Sequence, residues 1–243
     1  MDKTISLSIV APVYNEELVI EKVVRQWHTF LASSGLSYEI VLTNDGSKDN
    51  TGKILSQLSL EIPQLKLISY QHNRGYGYAL NLAIKNSRGN FIITIDSDGQ
   101  FEIKDLKKLI QLNSHFSPDI MVTGYRDKKK DTFIRHLSDK GLNILVRILF
   151  NNKLTDTNCA LKLIPGDWLR SRKLESVSFS TPTEICLLCQ DAGLKIKEIR
   201  VNHYPREVGI SKLKPFKTMI SFFFYLLYLK QRLILKHYRI INI

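Results

Sequence analysis

The chain has 243 residues and a mass of 28.0 kDa, with 44% hydrophobic and 24% charged residues. This length suits one large folded domain or two small ones, and the composition excludes a disordered tail or a fibre. Lysine and arginine outnumber the acidic residues by 35 to 23, and the formal charge of +12 indicates an anionic partner: nucleic acid, an acidic membrane surface or a phosphorylated substrate.

Short apolar runs rich in Ile, Val and Leu alternate with segments whose apolar residues recur at helical spacing. The first run predicts a strand at residues 5–10. The apolar stretch ends at residue 11 and is followed by Pro12 and acids, so it is not predicted to be a signal peptide. Further strands are predicted at residues 39–43, 65–70, 91–95 and 120–123, with helices at 16–31, 50–58, 76–86 and 103–112. This alternation predicts an α/β fold with a doubly wound, mainly parallel sheet covered on both faces.

The alternation is interrupted in the second half of the chain. A long helix is predicted at residues 134–150, followed by a strand near 160–164, a helix near 183–192 and a strand near 195–201. Three cysteines are too few for a disulfide scaffold, and Cys186 and Cys189 lie in an apolar helical segment. They are therefore predicted to be buried thiols and not half of a zinc site.

The C-terminal tail carries a disproportionate share of the charge. From residue 208 onward all seven charged residues are basic, which leaves +5 for the first 207 residues. Residues 218–229 are uncharged and rich in Phe and Leu, but a membrane span needs about 20 such residues. We therefore predict a domain at residues 1–212 and a tail at 213–243 that forms amphipathic helices in the interface of an acidic leaflet. The alternative is a core or dimer helix with solvated lysines.

Polar, turn-forming residues follow three of the predicted strands. They read PVYNEE at residues 12–17, NDGS at 44–47 and DSDGQ at 96–100. Ligands of open α/β sheets bind beyond the carboxyl ends of the strands, so we expect these turns to meet in one crevice.

Two of these turns contain acids with a specific chemical use. Asp96 and Asp98 are two residues apart at a strand end, where their carboxylates point the same way and suit Mg²⁺ or Mn²⁺, with Gln100 as a further oxygen donor. The alternative is an ordinary turn. Asp45 could accept a hydrogen bond from a base or ribose, or could form an Asx-turn. The NRGYG segment at residues 73–77 lacks the spacing of a dinucleotide or P-loop motif.

Taken together, the motifs are more specific than any one of them. PVYNEE, NDGSKDNT, NRGYG and IDSDGQF occur in this order at residues 12–17, 44–51, 73–77 and 95–101. The chain resembles the family 2 glycosyltransferases of the GT-A fold, most of all the branch of the dolichol-phosphate mannose synthases and bacterial polyprenyl-phosphate sugar transferases. The resemblance extends over residues 7–212.

The resemblance implies roles for individual residues on the donor side. The nucleotide-sugar would be held by Pro12, Tyr14, Glu16, Asp45, Asp96, Ser97, Asp98, Arg126, Arg206 and Lys212. The metal, Mg²⁺ or Mn²⁺, would be held by Asp96, Asp98 and Gln100. Catalysis would depend on Asp98, Arg126, Arg206 and Lys212, because the metal and the cations stabilise charge on the departing diphosphate.

On the acceptor side the resemblance implies contacts from Arg135, Ser138 and Asp156. This chain departs from the family pattern in carrying Asn44 at the first position of the Asp-Asp-Gly-Ser motif and Asp139 where relatives often carry Ser. Glu184 matches a family acid, but it could equally pair with an arginine of the core.

The resemblance implies an inverting, metal-dependent glycosyltransferase that moves a sugar from a nucleotide-sugar to a polyprenyl phosphate at the cytoplasmic face of a membrane. Because the apolar tail is too short to span a bilayer, we expect the enzyme to be attached peripherally. One alternative keeps the donor but uses a hydroxyl acceptor, such as a growing polysaccharide, and needs a carboxylate base. The other alternative, a basic nucleic-acid-binding protein, predicts cations spread over one face with stacking aromatics, whereas here they gather beside Phe and Leu. We therefore expect no nucleic-acid partner. Association between copies or with a membrane protein through the tail is left open.

Overall fold

The computed structural model describes residues 5–113, 115–126, 133–202, 204 and 215–238, with only the backbone described at 133–140 and 215–218. Its strands are β1 (Leu7–Val13), β2 (Tyr38–Asp45), β3 (Leu65–Tyr70), β4 (Phe91–Thr94), β5 (Ile120–Arg126), β6 (Lys162–Pro165) and β7 (Lys195–Val201). Its helices are α1 (Ile20–Ser33), α2 (Thr51–Glu61), α3 (Tyr76–Lys85), α4 (Ile103–Leu112), α5 (Phe133–Phe150), α6 (Gly166–Ser171), α7 (Thr181–Asp191) and α8 (Pro215–His237).

The described strands form one seven-stranded sheet in the order β3-β2-β1-β4-β6-β5-β7. All neighbouring strands are parallel except those that flank β6, which pairs antiparallel with both β4 and β5. The predicted mixed α/β architecture with a mainly parallel sheet is therefore confirmed. Helix α6 was not predicted, because six residues are too few to show a helical period.

The central strands β1, β2, β4 and β6 are buried on both faces, whereas the outer strands β3 and β7 are partly exposed. Burial on both faces explains the continuous apolar runs of β1 and β4. Successive side chains of a strand point to opposite faces, so Ile9 of β1 packs beneath α1, α2 and α4, while Val10 packs beneath α3, α6 and α7. The three cysteines are buried free thiols, as predicted. Burial raises the pKa of the Cys159 thiol to about 11.

Helix α8 packs against α5 and α7 through a third apolar cluster. Its members are Val146, Phe150, Leu187, Phe222, Leu226 and Leu229. The helix is continuous through the Lys230-Gln-Arg232 interruption, and Arg232 is only 4% exposed, whereas the sequence places it among cations at the edge of the tail. Within the part of the chain that the structure describes, no helix is long and apolar enough to cross a membrane. The boundary predicted at residue 212 lies outside the described residues.

Candidate active site

The carboxyl ends of β1, β2 and β4 meet at one edge of the sheet, and their loops are joined by hydrogen bonds. The Glu16 amide donates to Thr51 Oγ1 at 2.8 Å, and the Asn15 amide donates to Ser47 Oγ at 3.0 Å. Asn15 adopts a positive φ of 51°, a conformation that asparagine tolerates better than most residues. These bonds connect the PVYNEE and NDGS turns, as the expected crevice requires.

The Asp-Ser-Asp turn follows β4 at the same edge. The Ser97 hydroxyl is buried and donates to the Pro12 carbonyl at 2.8 Å, which fixes the turn against β1. Asp96 and Asp98, on either side, are half-buried, and Asp98 Oδ1 accepts from the Gln100 amide at 3.1 Å. Ser97 is buried whereas Asp96 and Asp98 are half-buried, so both carboxylates are more accessible than the side chain between them.

Tyr76 contacts this acidic turn and was missed by the sequence analysis. Its hydroxyl donates to Asp96 Oδ1 at 2.9 Å, and its ring stacks on Phe179 with centroids 5.1 Å apart and planes at 28°. Burial, followed by the charges of Asp96 and Asp98, raises the pKa of Tyr76 well above its usual range. Tyr76 therefore stays protonated and acts as a hydrogen-bond donor to the turn.

Asp45 occupies a more internal position than its expected nucleotide contact suggests. It is 2% exposed, and its carboxylate accepts four hydrogen bonds, two on each oxygen. The donors are the Tyr70 hydroxyl at 2.7 Å, the Arg74 amide at 2.7 Å, the Asn73 side-chain amide at 2.9 Å and the Gly75 amide at 3.0 Å. Four donors match the acceptor positions of a carboxylate. In this structure Asp45 therefore organises the NRGYG loop, and a direct contact to the nucleotide stays a prediction.

Arg126 and Asp156, which the sequence analysis assigned to donor and acceptor separately, contact one another. Arg126 Nε donates to Asp156 Oδ2 at 2.7 Å and its Nη2 donates to Oδ1 at 3.1 Å, in a bidentate pair that is largely buried. The antiparallel course of β6 is responsible, because the segment that leads into β6 lies at the edge where β5 ends. Bidentate pairs are strong and geometrically specific, so Asp156 holds the guanidinium of Arg126 in one place.

Lys162 lies beneath this pair and was not identified from the sequence. Its side chain is fully buried, and its ammonium donates to Thr123 Oγ1 at 3.0 Å, to the Thr157 carbonyl at 3.2 Å and to Cys186 Sγ at 3.1 Å. Lysine is almost never fully buried without partners, and here three acceptors hold the ammonium. Lys162 thereby joins β5 and α7 to the loop that carries Asp156.

The remaining predicted site residues are only partly described. The Gln100 side-chain amide donates to the Tyr204 carbonyl, which brings the chain that follows β7 beside the acidic turn. Arg206 and Lys212, which are predicted to bind the donor and to assist catalysis, lie outside the described residues, as do the side chains of Arg135 and Ser138. Their roles stay predictions.

The donor chemistry of the acidic turn fits a hard divalent cation. Mg²⁺ and Mn²⁺ prefer carboxylate oxygens and are commonly held by one or two protein carboxylates, with water and substrate phosphates as the other ligands. Asp96 and Asp98 provide such a pair. Among the residues that the structure describes, no group of three or more His, Cys, Asp or Glu side chains forms a metal site.

Several proteins of known activity are similar in sequence. The dolichyl-phosphate beta-glucosyltransferase of Dictyostelium discoideum is 29% identical over 235 residues, which cover 89% of this chain and 71% of that protein. The dodecaprenyl-phosphate galacturonate synthase of Rhizobium johnstonii is 28% identical, with 86% of this chain and 62% of that protein covered. The chain thus spans about two thirds of the length of these relatives.

Solved structures with similar folds share less sequence. The glucosyl-3-phosphoglycerate synthase of Mycobacterium tuberculosis, in complex with phosphoglyceric acid, matches with a TM-score of 0.73 at 16% identity over 93% of this chain and 80% of its own. The mannosyl-3-phosphoglycerate synthase of Rubrobacter xylanophilus matches with a TM-score of 0.72 at 15% identity over 98% of this chain and 76% of its own. This likeness establishes the GT-A fold.

The model of the glycosyl transferase family 2 domain matches residues 8–175, more than half of the chain. That match begins at the second residue of β1, continues through β6, and includes the NRGYG loop and the acidic turn. The chain is therefore a glycosyltransferase of family 2 with the GT-A fold, as its ordered motifs at the strand ends predicted.

Proposed function

We propose that this protein transfers a sugar, with inversion at the anomeric carbon, from a nucleotide-sugar to a polyprenyl phosphate in a metal-dependent reaction. The proposal rests on one observation. The Asp96–Asp98 turn and the Arg126–Asp156 pair lie at the same edge of the sheet. A nucleotide diphosphate and a phosphorylated acceptor both need positive charge there. A cation bound by the two aspartates and the guanidinium of Arg126 would supply it. Relatives that act, by their names, on dolichyl, dodecaprenyl and undecaprenyl phosphates support the choice of acceptor.

The donor half of the reaction depends on the acidic turn. A divalent cation held by Asp96 and Asp98 would neutralise the charge that develops on the leaving diphosphate. The turn is braced by Ser97 against Pro12 and by Tyr76 against Asp96, so its carboxylates need little reorganisation when the donor binds. A neighbour of the same fold was crystallised with Mn²⁺ and UDP-glucose, which is compatible with this donor set.

In the acceptor half, a phosphate oxygen of the lipid attacks the anomeric carbon while the bond from that carbon to the nucleoside diphosphate breaks. The phosphate is already an anion, so no residue has to remove a proton. Arg126, fixed by Asp156 at the end of β5, is suitably placed to offset repulsion between the two phosphorylated substrates.

A hydroxyl acceptor, as in polysaccharide synthesis, is the second candidate. It requires a carboxylate that takes up the proton of the attacking hydroxyl. Both oxygens of Asp156 accept hydrogen bonds from the Arg126 guanidinium, which opposes the use of this carboxylate as a base. Asp156 is therefore a poor candidate for that base, and the relatives named for lipid phosphates favour the lipid phosphate as acceptor.

The test is an assay of the purified protein with a panel of nucleotide-sugars, Mg²⁺ or Mn²⁺, and undecaprenyl or dolichyl phosphate. We expect a glycosylated lipid phosphate, loss of turnover after chelation of the metal, and an anomeric configuration opposite to that of the donor by NMR. Sugar transfer to a hydroxyl acceptor alone would refute the lipid-phosphate proposal. Undiminished turnover in the presence of a chelator would refute the metal dependence.

We also propose that the protein attaches peripherally to the cytoplasmic face of a membrane through α8. Although one side of the helix is buried on α5 and α7, its other side is exposed and apolar. The exposed residues include Ile220, Phe223, Phe224, Leu227 and Ile234. Exposed aromatic and aliphatic side chains on a basic helix are typical of segments that lie in the interface of an acidic bilayer.

Flotation with vesicles that contain acidic lipid measures this attachment. The double substitution Phe224→Glu and Leu227→Glu should lower the vesicle-bound fraction at least tenfold, because it removes about 3 kcal/mol of apolar burial and adds repulsion from the leaflet. Leu60→Glu is the matched control, since Leu60 of α2 is 88% exposed and α2 packs beside β3. Equal flotation of all three proteins would contradict the proposal. Deletion of α8 is unsuitable, because it would uncover the cluster beneath the helix.

A further inference from the structure

Tyr76 joins two parts of the molecule that are distant in sequence. Its hydroxyl contacts Asp96 in the acidic turn, and its ring contacts Phe179 in the segment before α7. Phe179 is 40% exposed, whereas Tyr76 is half-buried and packs against the apolar cluster beneath α3, α6 and α7, so the stacked pair lies where the core meets the surface beside the acidic turn. The pair therefore belongs to the immediate surroundings of the acidic turn.

The backbone on both sides of Tyr76 allows the segment before α7 to approach it closely. Gly75 has a φ of +99°, and a Cβ there would lie 2.5 Å from the Val177 carbonyl oxygen. A Cβ at Gly77 would lie 2.2 Å from both the Ser176 carbonyl oxygen and Thr181 Oγ1. No side chain fits at either position, so the two glycines on either side of Tyr76 allow the segment at residues 176–181 to cover it closely.

Both sides of this contact are anchored independently. On the side of Tyr76, the backbone amides of Arg74 and Gly75, which immediately precede Tyr76, donate hydrogen bonds to the Asp45 carboxylate. On the side of Phe179, the Glu184 carboxylate accepts the amides of Glu175 and Ser176 at 2.9 and 3.0 Å. Tyr76 is therefore held by its neighbours, and its hydroxyl can fix the orientation of the Asp96 carboxylate.

We propose that Tyr76, stacked on Phe179, is a positioning residue that holds the Asp96 carboxylate in the orientation needed to bind the divalent cation. This inference rests on the proposed metal dependence. A hydrogen bond to a ligating carboxylate selects one rotamer before the cation arrives, and loss of such a bond typically weakens metal binding by 10- to 100-fold.

The first test is Tyr76→Phe, which removes the hydroxyl and keeps the ring that stacks on Phe179. The dissociation constant for Mn²⁺ alone is measured by the loss of the free-ion EPR signal, without sugar donor or acceptor. We expect binding to be weakened about 10- to 100-fold, with an unchanged unfolding temperature. Phe179→Leu should weaken binding less, by about 2- to 10-fold, because it removes only the stacking interaction.

Tyr38→Phe is the matched control. The Tyr38 hydroxyl also has one hydrogen-bond partner, His28 Nδ1 at 2.8 Å, but it lies at the start of β2, at the opposite edge of the sheet. Its Mn²⁺ affinity should stay within twofold of the unsubstituted protein. An affinity of Tyr76→Phe within twofold, or an equal loss in Tyr38→Phe, would overturn the positioning role.

The positioning role and the proposed function fail in different measurements. Mn²⁺ binding that depends on Tyr76, without transfer to any lipid phosphate, would support the positioning role and refute the acceptor. Transfer to lipid phosphate by a protein that binds no Mn²⁺ would overturn the positioning role and leave the transfer reaction standing.

Discussion

Replacement of Arg232 by methionine is expected to lower the free energy of unfolding by about 3–5 kcal/mol at neutral pH. Arg232 is 4% exposed, and its Nη1 lies 3.3 Å from Oε1 of the fully buried Glu184. Its Nη2 also donates to the Lys173 carbonyl at 3.0 Å. Methionine keeps much of the side-chain volume but leaves the Glu184 carboxylate buried without its cation, and the desolvation of an uncompensated charge accounts for the loss.

The loss should depend on pH in a defined direction. Burial already raises the pKa of Glu184, so the ionised form is disfavoured in the folded state and this penalty is felt above the folded-state pKa. Removal of Arg232 raises that pKa further. As the pH falls from the raised folded-state pKa towards the unfolded-state pKa, folded Glu184 takes up a proton and the penalty shrinks, and it is absent below the unfolded-state pKa. Urea unfolding at pH 8 and at pH 5.5 should therefore show a larger deficit at pH 8.

Two further variants make this prediction specific. Lys236→Met removes a cation one turn farther along α8, from a partly exposed pair with Asp191 at 2.7 Å, and should cost less than about 1 kcal/mol. Adding Glu184→Gln to Arg232→Met should restore part of the stability, since the buried charge is gone. The recovery is incomplete because a glutamine oxygen replaces only one of the two oxygens that accept from Glu175 and Ser176. A deficit of Arg232→Met that is identical at both pH values would contradict the assigned cause.

Replacement of Asp98 by asparagine is expected to lower kcat/KM by about 10²- to 10³-fold in the lipid-phosphate assay. Asparagine has the same shape and retains an oxygen that can accept the Gln100 amide hydrogen bond seen at 3.1 Å. It removes one of the two negative charges that the turn offers to a cation. Charge stabilisation of the leaving diphosphate should therefore be lost while the turn keeps its conformation.

The control for Asp98→Asn is Asp119→Asn. Asp119 is exposed and precedes β5 at the opposite edge of the sheet, so turnover should stay within twofold. The unfolding temperatures of both variants should lie within about 2 °C of the unsubstituted protein, which separates a loss of chemistry from a loss of folding. Full turnover of Asp98→Asn with normal metal dependence would refute the role of Asp98 in the site.

Much of the fold could be predicted because its signals are local. The strands β1, β2 and β4 are almost fully buried, so each contains a continuous apolar run, and the amphipathic helices between them show their period directly. The order of the elements then places the polar turns at one edge of a parallel sheet. The position of the acidic turn, the mixed α/β class and the family all follow from this local information.

The partners within the site could not be predicted, because each depends on a contact between distant segments. Arg126 and Asp156 are 30 residues apart, and they meet only because β6 runs antiparallel and starts where β5 ends. Glu184 and Arg232 are 48 residues apart, and the sequence left open whether Glu184 contributes to the site or pairs with an arginine. The structure shows the arginine pair.

For this protein the sequence by itself determined the family, the strand-helix alternation and the chemistry available at the strand ends, since residue types and their spacing are properties of the chain. Only the tertiary structure decided that Tyr76 donates to Asp96, that Asp45 holds the NRGYG loop and that Arg232 is buried. The physical reason is that hydrogen bonds and ion pairs depend on distance and desolvation, and both are set by how the sheet and helices pack.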